Sequence, residues 1–297
     1  MKKIKSNFIT LTVLTLGSWI LILSSCCPEV GPDINFDETD LSLIDTNYIE
    51  LPAESPQQKV VLMEDFTGAT CPNCPNATTE IETIAEAHPG QIAVTADFNY
   101  PSDPHADGAY NFLTAEAFDL ADFLGGTIAW PATAIDRNIF AGETEIILTN
   151  EVANYNTYVT ERLAEIPPCN MYLTSTYNEE TKELLIKVTI KYTSTVTVEN
   201  HISMALTESG IIDYQTVSGV GEVADYEHNN VLRAMISNTT GDILDNAVDK
   251  IPGRVFEKEF KITVENEWVK ENLQVVAYVH NFIDDKEVLQ ACVLDID

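Results

Sequence analysis

Between residues 59 and 168 the apolar positions recur with two alternating periods. Residues 60–66 form an apolar, β-prone run that predicts a strand. Ala77, Ile81, Ile84, Ala85 and His88 then share one helical face, and Pro89-Gly90 stops that helix. Residues 91–98 predict a second strand. Tyr110, Leu113, Ala117, Leu120, Ala121 and Leu124 make another helical stripe, closed by Gly125-Gly126. Residues 131–136 and 139–141 read as a hairpin around Asp136-Arg137-Asn138. Val152, Tyr155, Val159 and Leu163 face one side of a last helix, which Pro167-Pro168 ends. The predicted order is β-α-β-α-β-β-α, an α/β domain with helices on both faces of a sheet.

From Cys169 the pattern changes to period two. Residues 184–192, 202–206, 255–264, 273–280 and 288–296 are strand candidates, with 170–177 and 231–236 as two more. Many strands, turn residues between them and almost no helical stripe predict an all-β antiparallel sandwich of Ig-like type over 169–297. Each half is long enough to bury its own core.

The N-terminus has a different character. Met1-Lys2-Lys3-Ile4-Lys5 is basic, and residues 8–23 are apolar but broken by Thr, Ser and Gly. That is short for a membrane span of about 20 residues, and residues 1–25 read as a secretory signal. Leu23-Ser24-Ser25-Cys26 resembles the bacterial lipobox, which implies lipidation of Cys26; Cys27 takes no assigned role. Residues 26–58 are rich in Asp and Glu, lack Lys and Arg and are broken by Pro28, Pro32, Pro52 and Pro56. They are expected to form a flexible acidic tether, with residues 48–51 a candidate edge strand.

Asp and Glu number 47 against 16 Lys and Arg, a formal charge of −31. Such a surface excludes nucleic acid and anionic headgroups as partners. Membrane attachment is therefore expected through the lipid on Cys26 alone, in the cell envelope.

Six cysteines in an exported chain meet an oxidising compartment. Cys71-Pro72-Asn73-Cys74 stands where a strand gives way to a helix, the arrangement used for thiol–disulfide exchange. The free N–H groups and dipole of a helix N-terminus stabilise a thiolate. Cys71 is expected to gain most from this, with Pro72 at the first helical position. Cys74, one turn in and more buried, would be the resolving thiol. Cys169 and Cys292 lie near the start and end of the second half. They are a candidate structural disulfide if the first and last strands there are neighbours, though connectivity is not deducible from sequence. Structural zinc needs four ligands, and there is one cysteine pair with His88, His105, His201, His228 and His280 scattered; no metal or cofactor is expected. Asp103, His105 and Asp107 read as a solvated turn with capping residues.

Three features resemble the thioredoxin family. The βαβαββα order is one. Asp65-Phe66, at the family's distance before the first cysteine, is the second; the resemblance implies that Asp65 is a buried acid that deprotonates the resolving thiol, a contribution of about 100-fold or more. The third is Trp130-Pro131, after a Gly-containing loop and before a strand. It implies a cis-proline opposite Cys71, with the Trp130 backbone pairing a bound peptide. The tryptophan that usually precedes the first cysteine is replaced by Thr70, which weakens the case for general disulfide reduction.

The run Val61-Leu62-Met63-Glu64-Asp65-Phe66-Thr67-Gly68 with Cys71, Asn73, Cys74 and Pro75 after it resembles the opening motif of the twenty-eight-kilodalton outer-membrane protein family. The segment from Tyr226 through His228 to Val231-Leu232-Arg233 and the closing run 273–294 add to the likeness, which covers Lys59 to the C-terminus. It implies an outer-membrane lipoprotein with a thioredoxin-like domain and then a β-domain. His228 and Arg233 read as polar residues leading into a strand. Two functions fit these features: thiol–disulfide exchange on exported proteins, and a surface-anchored binding or adhesion module in which Cys71–Cys74 is a static crosslink. Neither is a pore, because an α/β first half cannot span a bilayer.

Overall fold

Every residue of Val61–Thr67 is buried, which marks that strand as central. Strands covered on both faces read as continuous apolar runs rather than alternating ones, and VLMEDFT has that form. The computed structural model describes residues 43–283 and 285–296. The signal segment 1–25, Cys26, Cys27 and the first part of the tether lie outside the described residues.

In the first half the elements are β1 (Asp45–Ile49), β2 (Val61–Thr67), α1 (Cys74–Ala87), β3 (Ile92–Phe98), α2 (Ala115–Phe123), β4 (Ala132–Ile135), β5 (Ile147–Thr149) and α3 (Tyr155–Leu163). In the second half they are β6 (Cys169–Asn178), β7 (Glu183–Tyr192), β8 (Asn200–Glu208), β9 (Ile211–Val217), β10 (Gly221–His228), β11 (Val231–Met235), β12 (Asp242–Ile243), β13 (Arg254–Thr263), β14 (Leu273–Asn281) and β15 (Val288–Asp295). The molecule is mostly β-sheet.

The large sheet runs β15-β14-β8-β11-β3-β2-β4-β5, with β12 also on β8. β2 is parallel to β3 and antiparallel to β4, and β5 is antiparallel to β4. A second sheet runs β1-β13-β7-β6, and β9 with β10 forms a separate hairpin. Leu62, Phe66 and Ala134 pack under Leu120 and Ala121 of α2 on one face of the large sheet. Val61 and Met63 meet Ile81, Ile84 and Val159 of α1 and α3 on the other. Further along, Met204, Leu206 and Val275 meet Ile186, Val188 and Phe256 of the second sheet, which makes that region a β-sandwich.

The expected division at 168/169 does not separate two sheets. Val231 of β11 pairs in parallel with Ala96 of β3, and the Ala96 amide donates to the Asn230 carbonyl at 2.7 Å. The described residues accordingly form one unit. Buried charges strengthen the junction. Asp136 accepts from Lys59 (2.8 Å), from Arg162 (2.9 Å) and from the Leu62 amide (2.8 Å). Lys59 also donates to the Val288 carbonyl, and Arg162 reaches Glu287. On the opposite face Arg137 grips Glu64 in a bidentate pair and donates to the Tyr278 hydroxyl at 2.8 Å. Asp136 and Arg137 hold left-handed backbone, φ 47° and 53°, uncommon for side chains of this type. The ion pairs explain why acid and base occupy that turn.

Other expectations are corrected. The described part of the tether lies against the body: β1 pairs with β13, and Glu54, Ser55 and Gln57 bond to Asn170 or Met171. The second helix starts at Ala115, capped by Thr114, whose hydroxyl accepts from the Ala117 amide; Tyr110 and Leu113 precede it. The partner of β4 is β5, not residues 139–141, because Phe140 turns inward onto Tyr158. Cys169 and Cys292 are free thiols. The Cys292 thiol lies beside the backbone of Leu173, four residues along β6 from Cys169. At about 3.3 Å per residue that is on the order of 13 Å, far beyond disulfide reach.

Candidate redox site

Cys71 and Cys74 form a disulfide at the open end of β2. The loop between strand and helix is fixed by Asp103, whose carboxylate accepts from the amides of Ala69 and Thr70 and from the Thr70 hydroxyl. Gly68 lets Tyr100 close on this loop: a Cβ there would stand 2.2 Å from the Tyr100 Cβ. The Cys71 amide donates to the Gly68 carbonyl at 3.1 Å. α1 begins at Cys74, with Asn73 as N-cap and Pro75 in the first turn. Pro72 is therefore not the first helical residue, and Cys71 sits on the turn ahead of the helix. No acidic side chain occupies the first turn, so nothing offsets the positive end of the dipole for a thiolate. Cys71 and Cys74 are each only 1% exposed; the expected difference in burial between them is absent.

Asp65 lies on the same face of the sheet as α1, flanked there by the apolar contacts of Met63. Its Oδ2 accepts from the Thr78 hydroxyl at 3.1 Å, and that hydroxyl also reaches the Cys74 carbonyl at 3.4 Å. Oδ1 has no hydrogen-bond partner. Thr133, paired with Asp65 across β4, and Tyr155 add hydroxyls to this pocket without closing a hydrogen bond. Burial pushes the Asp65 carboxyl from 3.8 up to about 7; Glu82 adds to the rise and Thr78 opposes it. A carboxyl raised toward neutrality and joined through the Thr78 hydroxyl to the Cys74 carbonyl suits proton transfer. Asp97 on β3 is a second buried acid raised by burial and by Glu64.

The Trp130–Pro131 peptide is cis. Ala132 pairs with Phe66, so Pro131 stands beside the end of β2 that leads to the disulfide. The Trp130 indole donates to Asn99 at 2.8 Å and meets Tyr100 edge-on, ring centres 5.2 Å apart. Asn99 is itself fixed by its amide's bond to the Thr67 carbonyl. These contacts join Trp130, Tyr100, Gly68 and the Cys71 loop into one packed group.

Sequence reasoning missed the β9–β10 hairpin. β9 runs beside the 69–72 segment, its Thr216 amide donating to the Ala69 carbonyl and the amide of Ser218, just past its end, to the Pro72 carbonyl, both at 2.8 Å. The Gln215 side-chain amide donates to the carbonyls of Gly68 (3.2 Å) and Cys71 (3.1 Å). Behind it, His228 packs on Phe98 and Phe112 and donates to the Tyr214 carbonyl; burial lowers its pKa. His228 thus anchors the hairpin. Arg233 stands apart from it, paired with Glu208 at 2.7 Å. His105 stacks on Tyr214 and accepts from the Asp107 amide. Among the described residues no group of three His, Cys, Asp or Glu is placed to hold a metal ion.

Fold and site together define a β-rich protein with a buried disulfide at a strand-to-helix junction. Residues 125–294 match the model of the family described as outer membrane protein Omp28. The match spans more than half of the chain, and the chain belongs to that family. Among solved structures it is similar to HBP35 of Porphyromonas gingivalis, with a TM-score of 0.63 and 16% identity over 82% of this chain and 77% of that one. It is also similar to a protein of Agrobacterium tumefaciens, TM-score 0.50 and 10% identity, over 80% and 95% of the two chains. A domain of the outer membrane lipoprotein Omp28 from P. gingivalis matches 45% of this chain and 91% of that one, with 17% identity and a TM-score of 0.30. No relative is found among curated proteins. Family membership implies an envelope location. Among the described residues no helix is long and apolar enough to cross a membrane.

Proposed function

We propose that the chain is an outer-membrane lipoprotein, held by lipid on Cys26, whose thioredoxin-like unit exchanges disulfides with exported proteins through Cys71 and Cys74. The sheet order β3-β2-β4-β5, with α1 and α3 on one face and α2 on the other, supports the thioredoxin-like reading. The observation that carries the chemistry is Asp65: a buried carboxyl titrating at about 7, joined through one hydroxyl to the first turn of the Cys74 helix.

Exchange begins when a thiolate of a partner dithiol attacks Sγ of Cys71, forming a mixed disulfide as the Cys71–Cys74 bond breaks. The electron pair goes to Cys74 Sγ, which takes the proton held by Asp65. The partner's second thiolate then attacks its own sulfur in the mixed disulfide and releases Cys71 as thiolate. The partner dithiol is oxidised by two electrons, and the Cys71–Cys74 pair is reduced to the dithiol; the reverse order reduces a partner disulfide.

The test is exchange with a model protein disulfide. Wild type should turn it over, Cys71→Ser should abolish exchange, and Asp65→Asn should slow it about 100-fold at pH 7. Equal rates for Cys71→Ser and wild type would end the proposal. One observation favours the alternative, an envelope binding module with a static crosslink: both sulfurs are buried. In that case none of these variants would alter partner capture.

A further inference from the structure

The hairpin bonded to the disulfide loop has two unlike halves. Tyr226, Glu227 and His228 pair with Asp213, Ile212 and Ile211, whereas Gly221, Glu222 and Val223 pair with Val217, Thr216 and Gln215. A bulge between Val223 and Tyr226 separates the two sets, and a bulge interrupts pairing and bends the strand.

The base is rooted. The Asp213 carboxylate accepts from the amides of Ala109 and Tyr110 at 3.0 and 2.8 Å. Tyr214 stacks on His105, and His228 is enclosed by aromatic rings. The distal half has a narrower hold. The Thr216 and Ser218 amides and the Gln215 side chain bond it to the 68–72 loop. Beyond these an exposed Glu222 carboxylate meets His105 at 3.5 Å, and the tip is open, with Val220 73% exposed and left-handed glycines at 219 and 221. The half that runs against the disulfide loop is thus held chiefly to that loop, through Gln215, Thr216 and Ser218.

We infer that the distal half of the β9–β10 hairpin is a gate over Cys71–Cys74, latched by Gln215, and that thiols reach the disulfide from a state in which the gate is lifted on its rooted base. The role of this gate in exchange with exported proteins rests on the function proposed above; the existence of the gate does not. An attacking thiolate must reach Cys71 Sγ from outside, yet Cys71 is 1% exposed and the loop that carries it is bonded along its backbone by Gln215, Thr216 and Ser218. The Gln215 side chain is buried and bonds to the carbonyl of the very cysteine that is attacked, so its loss loosens the cover where it matters. The groove that β9 vacates keeps the outward carbonyls of Ala69 and Pro72, an edge suited to an extended segment of a partner rather than to a folded surface.

The experiment uses the whole chain and dithiothreitol as the thiol. The rate of Cys71–Cys74 reduction is measured by alkylation and peptide mass, in wild type, Gln215→Ala, Gln215→Glu and the tip control Val220→Ala. Losing the latch should raise the rate about tenfold in both Gln215 variants, the factor that corresponds to one hydrogen bond of ordinary strength. Val220→Ala should match wild type. A second readout guards against a folding defect: in wild type, low urea should leave the reduction rate nearly unchanged, because lifting the gate exposes little surface. Wild-type rates in both Gln215 variants would overturn the gate. So would a urea dependence equal to that of global unfolding. If the Gln215 variants are reduced faster yet no variant exchanges with protein disulfides, the gate stands and the exchange function falls.

Discussion

Asp65 and Asp136 are both fully buried, and they lie at opposite ends of the same neighbourhood of β2. Their surroundings differ in one respect. Asp136 meets two cations and a backbone amide. Asp65 meets hydroxyls, of which Thr78 alone closes a hydrogen bond, and one of its oxygens has no partner. A buried charge that is fully paired acts as structure, and removing one member leaves the rest exposed to the whole cost of burial. A buried carboxyl without a cation is instead driven toward its neutral form. The first region is a joint between the two halves of the chain; the second is a carboxyl that burial raises to about 7, joined through Thr78 to the first turn of α1.

The sharpest contrast is expected from substitution. Asp136→Ala leaves Lys59 and Arg162 buried without their shared partner and should destabilise the fold by about 3–5 kcal/mol, measured by urea unfolding at pH 7. Asp65→Asn, at an equally buried position, should leave stability unchanged or raise it. A similar loss at both positions would erase the distinction.

The pH dependence is next in size. The folded pKa of Asp65, about 7, lies above its ordinary value of 3.8, so the folded chain holds a proton that the unfolded chain releases in that window. The stabilisation is present in full below about pH 4 and is lost as pH rises to 7, up to about 4 kcal/mol. The comparison of wild type with Asp65→Asn across pH 4–8 isolates it, since the amide does not titrate; parallel curves would contradict the assignment.

Smaller effects mark the limits of the comparison. Replacing both Cys71 and Cys74 by Ser removes a crosslink that closes a very short loop, sequence separation 3, and should cost about 2 kcal/mol in urea unfolding. At the rim, Asp45 of β1 pairs with Lys258 while remaining largely exposed. Asp45→Ala should cost less than about 1 kcal/mol.

Much of the architecture was legible in local patterns. The apolar run of β2, the helical stripe of α1 and the alternation in β7 and β13 each report a nearby burial requirement, and their elements appear where the periods place them. The Cys71–Cys74 pair, closed as a disulfide, and the burial of Asp65 on β2 were readable in the same local way. The cover of the disulfide was not. Gln215 meets Cys71 across 144 residues of sequence, and nothing near either residue marks that meeting. The hairpin also explains the late start of α2. Tyr110 and Leu113 stand at helical spacing to Ala117, yet the Tyr110 amide is bound by Asp213 and the neighbouring Phe112 packs on His228. This stretch serves the hairpin, not the helix. The shared sheet was hidden likewise, since Val231 pairs with Ala96 through one short stretch of β11. Cys169 and Cys292 show the converse error: adjacent strands do not make adjacent residues.

The reduction potential of Cys71–Cys74, from equilibration of the whole chain with a glutathione or dithiothreitol series, bears most directly on whether the pair works. A cycling couple should fall between about −270 and −120 mV, the interval spanned by thiol–disulfide exchange proteins. A value below about −300 mV, typical of inert structural crosslinks, would contradict it.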